Sequence, residues 1–192
     1  MSQISNIVVS SFCCALLVKS QPAPASCPAF TPDTTIAKIS PSDRILRFAG
    51  GFVAIVNEVR LDTDGSPVAW AWNPQSTRTA AAVFGDTQSK FGEISIAFAQ
   101  ELQKGAINPI TPSALAAGGA VPWPYGRKAS GDVRLVSSPS GPVVFVYLSA
   151  LPTPALSNFD APAINTSVQG LVNTLGGTES LKQCLGSLLR SH

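Results

Sequence analysis

Charge is what this chain has least of: Lys, Arg, Asp and Glu make up 12% of its 192 residues, against about 25% in ordinary soluble domains. The 13 basic and 11 acidic side chains leave a formal net charge of +2. No basic run occurs, which excludes a nucleic-acid reader that works through a strongly basic face. Histidine occurs once, as His192. A Ser or Cys nucleophile therefore has no imidazole fixed beside it, and a catalytic triad is excluded. The glycine-rich phosphate loops GxGxxG and GxxxxGKS/T are missing, so no nucleotide and no cofactor is expected. Nor does any apolar run reach the roughly 20 residues of a membrane span; residues 7–18 (IVVSSFCCALLV) come nearest.

Cysteine is scarce and scattered, at Cys13, Cys14, Cys27 and Cys184. Without a CxxC pair no zinc site is expected. Cys13 and Cys14 read as small hydrophobes within an apolar run. A Cys27–Cys184 bridge would require an oxidising compartment. The one acidic cluster, Asp62 and Asp64 in DTDG, is a turn, because neither a second carboxylate pair nor the ligand spacing of a calcium loop accompanies it. No metal site and no enzymatic activity is expected.

What the chain has in quantity is turn and strand chemistry: 15 Gly, 16 Pro and many Val, Ser, Thr and Ala. Residues 20–32 (SQPAPASCPAFTP) read as a proline-rich arm. Strands are predicted over residues 34–39, over 44–61 as two strands or one long bent one with a bulge, kink or close backbone approach at Gly50-Gly51, and over 67–72, stopped by Asn73-Pro74. Further strands are predicted over 78–84, 91–99, 121–125, 132–137 and 141–148 (GPVVFVYL), the last the most β-like of all. Residues 100–119 read as loop with a helical turn near 113–117. After Pro154 the spacing of Val168, Leu171, Val172 and Leu175, then Leu181, Leu185, Leu188 and Leu189, predicts two amphipathic helices broken at Gly176-Gly177, with Thr178 as a cap. About eight short strands without intervening helices imply one all-β domain, a jelly-roll β-sandwich over residues 33–154, with an N-terminal arm (1–32) and a helical C-terminal tail (155–192).

Several of these segments carry a resemblance. Thr35-Ile36-Ala37-Lys38-Ile39, residues 44–60, the VAWAWNP of residues 68–74 and the closing stretch 132–151 (DVRLVSSPSGPVVFVYLSAL) resemble, in order and texture, the coat proteins of the tymovirus family and its relatives. The likeness covers about 120 of the 192 residues, and the tail after Pro152 departs from it. It implies a virion subunit that assembles in many copies into an icosahedral shell around RNA, with the arm lying along or between subunits. A surface short of charge fits that picture, since copies that cover one another's flanks need few ions to stay in solution. At +2 per subunit the shell would neutralise little of its RNA, leaving polyamines or metal ions to do so. Aromatics and prolines at strand ends, Trp72, Pro74, Trp123, Pro124 and Tyr125, are the expected contacts between copies. Arg127 and Lys128 are the best candidates for weak, non-specific contact with RNA phosphate.

The alternative is a secreted β-sandwich binding module. Residues 7–18 would then be the apolar part of a signal peptide and Ala23-Pro24-Ala25 the small-residue cleavage site, although no Lys or Arg precedes the apolar run. Cys27 would bridge Cys184, and the sequon Asn165-Thr166-Ser167 would carry sugar.

Overall fold

The computed structural model describes residues 27–38, 40–62, 70–82, 92–111, 113, 116, 118–149 and 161–190. Residues 7–18, the first part of the proline-rich arm, and residues 63–65 of the DTDG turn lie outside them. Among the described residues ten strands are formed: β1 (Thr31–Pro32), β2 (Arg44–Phe48), β3 (Gly51–Glu58), β4 (Arg60–Asp62), β5 (Trp70–Asn73), β6 (Arg78–Ala81), β7 (Glu93–Ser95), β8 (Tyr125–Arg127), β9 (Val133–Leu135) and β10 (Ser140–Tyr147). Helices described from end to end are α1 (Ile96–Lys104), α2 (Ala161–Thr174) and α3 (Thr178–Arg190). Six strands make one antiparallel sheet in the order β1-β2-β3-β10-β5-β6. β4 and β7 pair in parallel, and β8 and β9 form a short antiparallel ribbon.

Successive side chains of a strand point to opposite faces, so the unbroken apolar run of β10 has to be buried on both. Val143, Phe145 and Tyr147 face one side with Ile45, Ala54, Val56, Ala71 and Ala80, and are covered by Phe98, Ala99 and Leu102 of α1 and by Ile94 of β7. Val144, Val146 and Leu148 face the other side with Val53, Ile55 and Trp70, beneath Val168 and Val172 of α2 and Leu181 and Leu185 of α3. The molecule is therefore mostly β, with a single sheet between helical layers. The expected jelly roll of two facing sheets is not seen among the described residues. One of the places a second sheet would take is occupied by the α2–α3 pair, because a run apolar on both faces can be covered by helices as well as by strands.

Local chemistry accounts for the other departures. Residues 34–36 are bends and not a strand, since Asp33 Oδ1 accepts hydrogen bonds from the Thr35 N–H at 2.7 Å, the Thr35 hydroxyl at 2.6 Å and the Ile36 N–H at 3.3 Å, an arrangement that competes with a ladder. The neighbouring strand is instead β1, inside the proline-rich segment. The alternating run 91–99 stops as a strand at Ser95, whose hydroxyl accepts the Phe98 N–H at 3.1 Å and caps α1. Residues 121–124 are turn or irregular, and the strand begins only at Tyr125.

Gly50-Gly51 is the close approach expected of it: a Cβ on Gly51, whose φ is 148°, would fall 1.8 Å from the Tyr147 carbonyl oxygen. The two C-terminal helices form as expected. Their junction is a paired cap in which the Gly177 N–H reaches the Val172 carbonyl and the Gly176 N–H the Asn173 carbonyl. Thr178 does not act as the cap; its hydroxyl donates to Gln169.

Two buried faces make a specific stability prediction. Leu102→Ala and Leu185→Ala lie on opposite sides of the sheet and should each cost about 2–5 kcal/mol. Lacking shared neighbours, they should add to within about 0.5 kcal/mol in the double variant, as read from denaturant unfolding.

Candidate functional site: the Trp72 groove

Helix α3 buries Leu181, Cys184, Leu185 and Gly186, the first three at the three- and four-residue spacing of one helical face. Next to that face lies the row Lys182, Gly186 and Arg190, four residues apart. Three tethers hold the helix against the sheet. Its apolar face packs beneath Trp70 and Val146. Both terminal nitrogens of Arg44 donate to the Leu188 carbonyl at 3.3 Å. Cys184 is bridged to Cys27, with the two Cα atoms 5.5 Å apart. Glu179 in the first turn and Arg190 in the last complement the helix dipole.

Between α3, β5 and the bridge runs a groove of about 470 Å³, lined by Cys27, Trp72, Lys182, Gln183, Gly186, Ser187 and Arg190. Trp72, placed by its pairing with Val144 and Thr79, supplies the aromatic wall. Its indole N–H is buried with no acceptor, a cost seldom tolerated without a reason. Lys182 pairs with the exposed Glu179 at 2.9 Å, a solvent-side contact of small energetic weight. Among the described residues the lining offers two cations, an amide, a hydroxyl and an indole, and no acid.

A second cavity, about 350 Å³, opens among Trp70, Thr79, Ala80, Ala81, Glu101, Asn165, Thr166 and Gln169. Its one carboxylate, Glu101, accepts a hydrogen bond from the Asn165 side-chain nitrogen at 3.2 Å. A sugar on the Asn165 sequon would need that same nitrogen, so the helix and this hydrogen bond both oppose glycosylation there.

The residues expected at contacts between copies lie on different faces of the molecule. Trp72 packs on the α2–α3 face, whereas Trp123 packs on the α1 face. Pro74 lies in the β5–β6 turn, where Asn73 Oδ1 accepts the N–H groups of Gln75 and Ser76. Pro124 is buried, and Tyr125 is half-buried on β8 opposite Leu135. Arg127 uses its guanidinium locally: Nε donates to the Gly119 carbonyl at 2.8 Å and Nη1 to the Gly131 carbonyl at 2.7 Å. Lys128 is exposed in the turn that joins β8 to β9.

Two anchors are visible only in the folded chain. Gln100 is buried, and its side-chain nitrogen donates to the Asn108 and Trp123 carbonyls while its oxygen accepts the Asn108 N–H. This ties the loop carrying Trp123 to α1. Asp33 anchors the segment that leads to Cys27: besides the Thr35 and Ile36 contacts it pairs with Arg47, and its backbone N–H donates to the Ile45 carbonyl at 2.9 Å. The Thr35 hydroxyl, the backbone N–H groups of Thr35 and Ile36, and the Arg47 charge hold the Asp33 carboxyl below its usual 3.8, against the opposing pull of desolvation. On the far face, burial pushes the Tyr147 hydroxyl well above its ordinary pKa, and the ring stacks on Phe52 at 4.4 Å.

Among the described residues no group of three His, Cys, Asp or Glu side chains is placed to hold a metal ion, and no helix is long and apolar enough to cross a membrane. Comparison with known protein families, characterised proteins and solved structures finds no match to this chain.

The Asp33 anchor predicts an acid response of definite sign. A carboxyl with a depressed folded pKa stabilises fully above its ordinary value and progressively less as pH falls through the lowered one. The melting temperature of Asp33→Asn should therefore lie below that of the parent near neutrality. The gap should shrink as the pH falls below the ordinary 3.8 and through the lowered value, as followed by circular dichroism.

Proposed function

We propose that this chain is a binding module of an oxidising compartment, without chemistry of its own, whose ligand face is the Trp72 groove. One observation carries the reading: Cys27 and Cys184, 157 residues apart in sequence, are joined. Structural disulfides persist where thiols are not continually reduced. The bridge also has a clear mechanical purpose. Cys27 is exposed and precedes a strand of only two residues, so beyond the packing of Phe30 and the Asp33 anchor the bridge is what ties the start of this segment to α3. Loop-closure entropy for so long a separation gives the bridge a contribution of up to about 5 kcal/mol. The apolar run and small-residue site of the first 25 residues are consistent with export, and the groove beside the bridge brings an aromatic and several polar groups together in one concavity.

A second reading is favoured by the exposure of Leu135 (37%) and Val136 (49%) beside Tyr125, with which Leu135 is paired. Under that reading the β8–β9 ribbon is a contact between copies in a tymovirus-like shell enclosing RNA, and Trp123, Pro124 and Tyr125 retain the role expected of them. A jelly roll would then need a second sheet facing the first, on the side that carries α1 and the two small strand pairs.

Two measurements separate the readings. Intact-mass analysis of protein alkylated as isolated from its source should give a chain two hydrogens lighter than the reduced one, with its N-terminus at Ser26; free thiols on an untrimmed chain would overturn the first reading. Cys27→Ala/Cys184→Ala should lose about 2–5 kcal/mol of stability. Size exclusion of the trimmed protein should show a single species smaller than the 19.9 kDa of the full chain, and electron microscopy no many-copy particles. Many-copy particles abolished by Leu135→Glu/Val136→Glu would establish the shell instead.

A further inference from the structure

The second cavity, of about 350 Å³, lies where the main sheet ends. β6 is the last strand of that sheet, so alternate residues of β6 turn their N–H and C=O groups away from β5 and, among the described residues, toward no other strand. Helix α1 covers one face of the sheet and α2 the other, and both pack on β6. The hydrogen bond from the Asn165 side-chain nitrogen of α2 to Glu101 of α1 therefore passes round the border that β6 forms and clasps the two helices across it. Such a clasp protects an edge strand and closes it to a further strand running its length. It leaves a cavity beside Thr79, Ala80 and Ala81.

The polar groups around this cavity do not satisfy one another. Trp70 is 2% exposed and lines it, and its indole N–H has no acceptor among the described residues. Unlike that of Trp72, this N–H is not sealed from solvent. The Thr79 hydroxyl has no partner among them either. Glu101 takes part in neither of the ion pairs formed among the described residues. The Thr166 hydroxyl donates to the Pro162 carbonyl at 2.9 Å, which leaves its lone pairs to accept. An indole donor, a carboxylate without a cation and several further oxygens thus border one space.

This set of groups selects its ligand by elimination. An anion would meet Glu101. A cation would suit the carboxylate but leave the indole N–H without an acceptor, and an unmet donor in a closed site costs about 1–3 kcal/mol. A hydroxyl answers both, because it donates and accepts. The indole and the two alanines supply apolar wall for the carbon face of a ring, and the volume lies at the small end of ligand sites, suited to one ring and not to a chain. We propose that this cavity binds a single neutral sugar residue, whose hydroxyls donate to Glu101 and accept from the Trp70 indole N–H. The site is separate from the Trp72 groove and holds whether or not that groove is occupied.

The test follows the indole N–H resonances of Trp70, Trp72 and Trp123 in the isotope-labelled, disulfide-bonded full chain by proton–nitrogen correlation NMR. The probes are glucose, galactose, mannose and N-acetylglucosamine, with n-propylammonium and acetyl-trialanine amide for the rival classes. At least one sugar should shift the Trp70 resonance saturably, with a Kd of about 10 mM or below, and leave those of Trp72 and Trp123 in place. Glu101→Gln keeps an oxygen for Asn165 and should weaken that sugar by about tenfold with Tm little changed. Thr79→Val should weaken it by about three- to tenfold.

A sugar that moves the Trp72 resonance instead, or binds Glu101→Gln as tightly as the parent, would overturn the location. Tighter binding of n-propylammonium or of the peptide than of any sugar would overturn the ligand class. No shift of Trp70 by any sugar would overturn the inference outright, while a ligand of the Trp72 groove would still be read at the Trp72 resonance.

Discussion

Everything in this molecule is arranged around the double-sided burial of β10. A strand whose residues 143–148 are all withdrawn from water cannot sit at a sheet edge or under a single layer, because each half of its side chains needs its own apolar cover. It therefore lies centrally, between β3 and β5, and the chain has to provide a layer on each side. On one side this is α1 with β4 and β7; on the other it is α2 and α3. Trp72 owes its place to the same constraint. It pairs with Val144, turns to the α2–α3 face, and meets α3 at Gly186, where that helix has no side chain.

The double burial also changes the meaning of the sparse charge. A chain with so few ions suggests flanks hidden against copies of itself, since exposed apolar patches of more than a few hundred Å² are uncommon on monomers. A sheet covered on both faces offers a different destination for the same apolar residues. Val53, Ile55, Val144 and Val146 go to one interior and Val56, Val143 and Phe145 to the other. Among the described residues only Ile107, Leu135 and Val136 remain as large exposed hydrophobics. Self-association then has one small candidate patch, and low charge no longer requires it.

What could be read from the sequence follows the range of the interactions involved. Strong local patterns survived folding: the β-branched run of β10, the Asn73-Pro74 stop, the close approach at Gly51, and the helical spacing of the tail with its break at Gly176-Gly177. The Cys27–Cys184 pairing was legible as one option because those two cysteines stand outside the apolar run. The misreadings occur where one polar side chain overrides periodicity. Asp33 draws Thr35 and Ile36 into a turn within a β-branched stretch, and Ser95 caps a helix in the middle of an alternating run, whose Phe98, Ala99 and Leu102 suit a helix equally well. The site was only half legible. Trp72 stands out as an aromatic at a strand end, but Lys182, Gly186 and Arg190 acquire meaning only once α3 is laid beside β5, a long-range fact with no local signature.

The bridge and the groove belong together for a mechanical reason. A binding surface made by one short helix loses affinity to whatever freedom that helix retains, because ordering it on binding draws on the interaction energy. Here α3 is restrained at separate points along its length: the Gly176-Gly177 cap at its start, Cys184 and the buried leucines in its middle, and Arg44 on the Leu188 carbonyl near its end. All of these restraints act on the face or the ends of the helix and none on the row that borders the groove. Lys182 and Arg190 therefore stand on a rigid support, with Lys182 held only by its exposed partner Glu179. Reduction of the disulfide would remove one of the middle restraints and free Cys27 from the groove at once, so conditions that preserve the bond also preserve the shape of the groove.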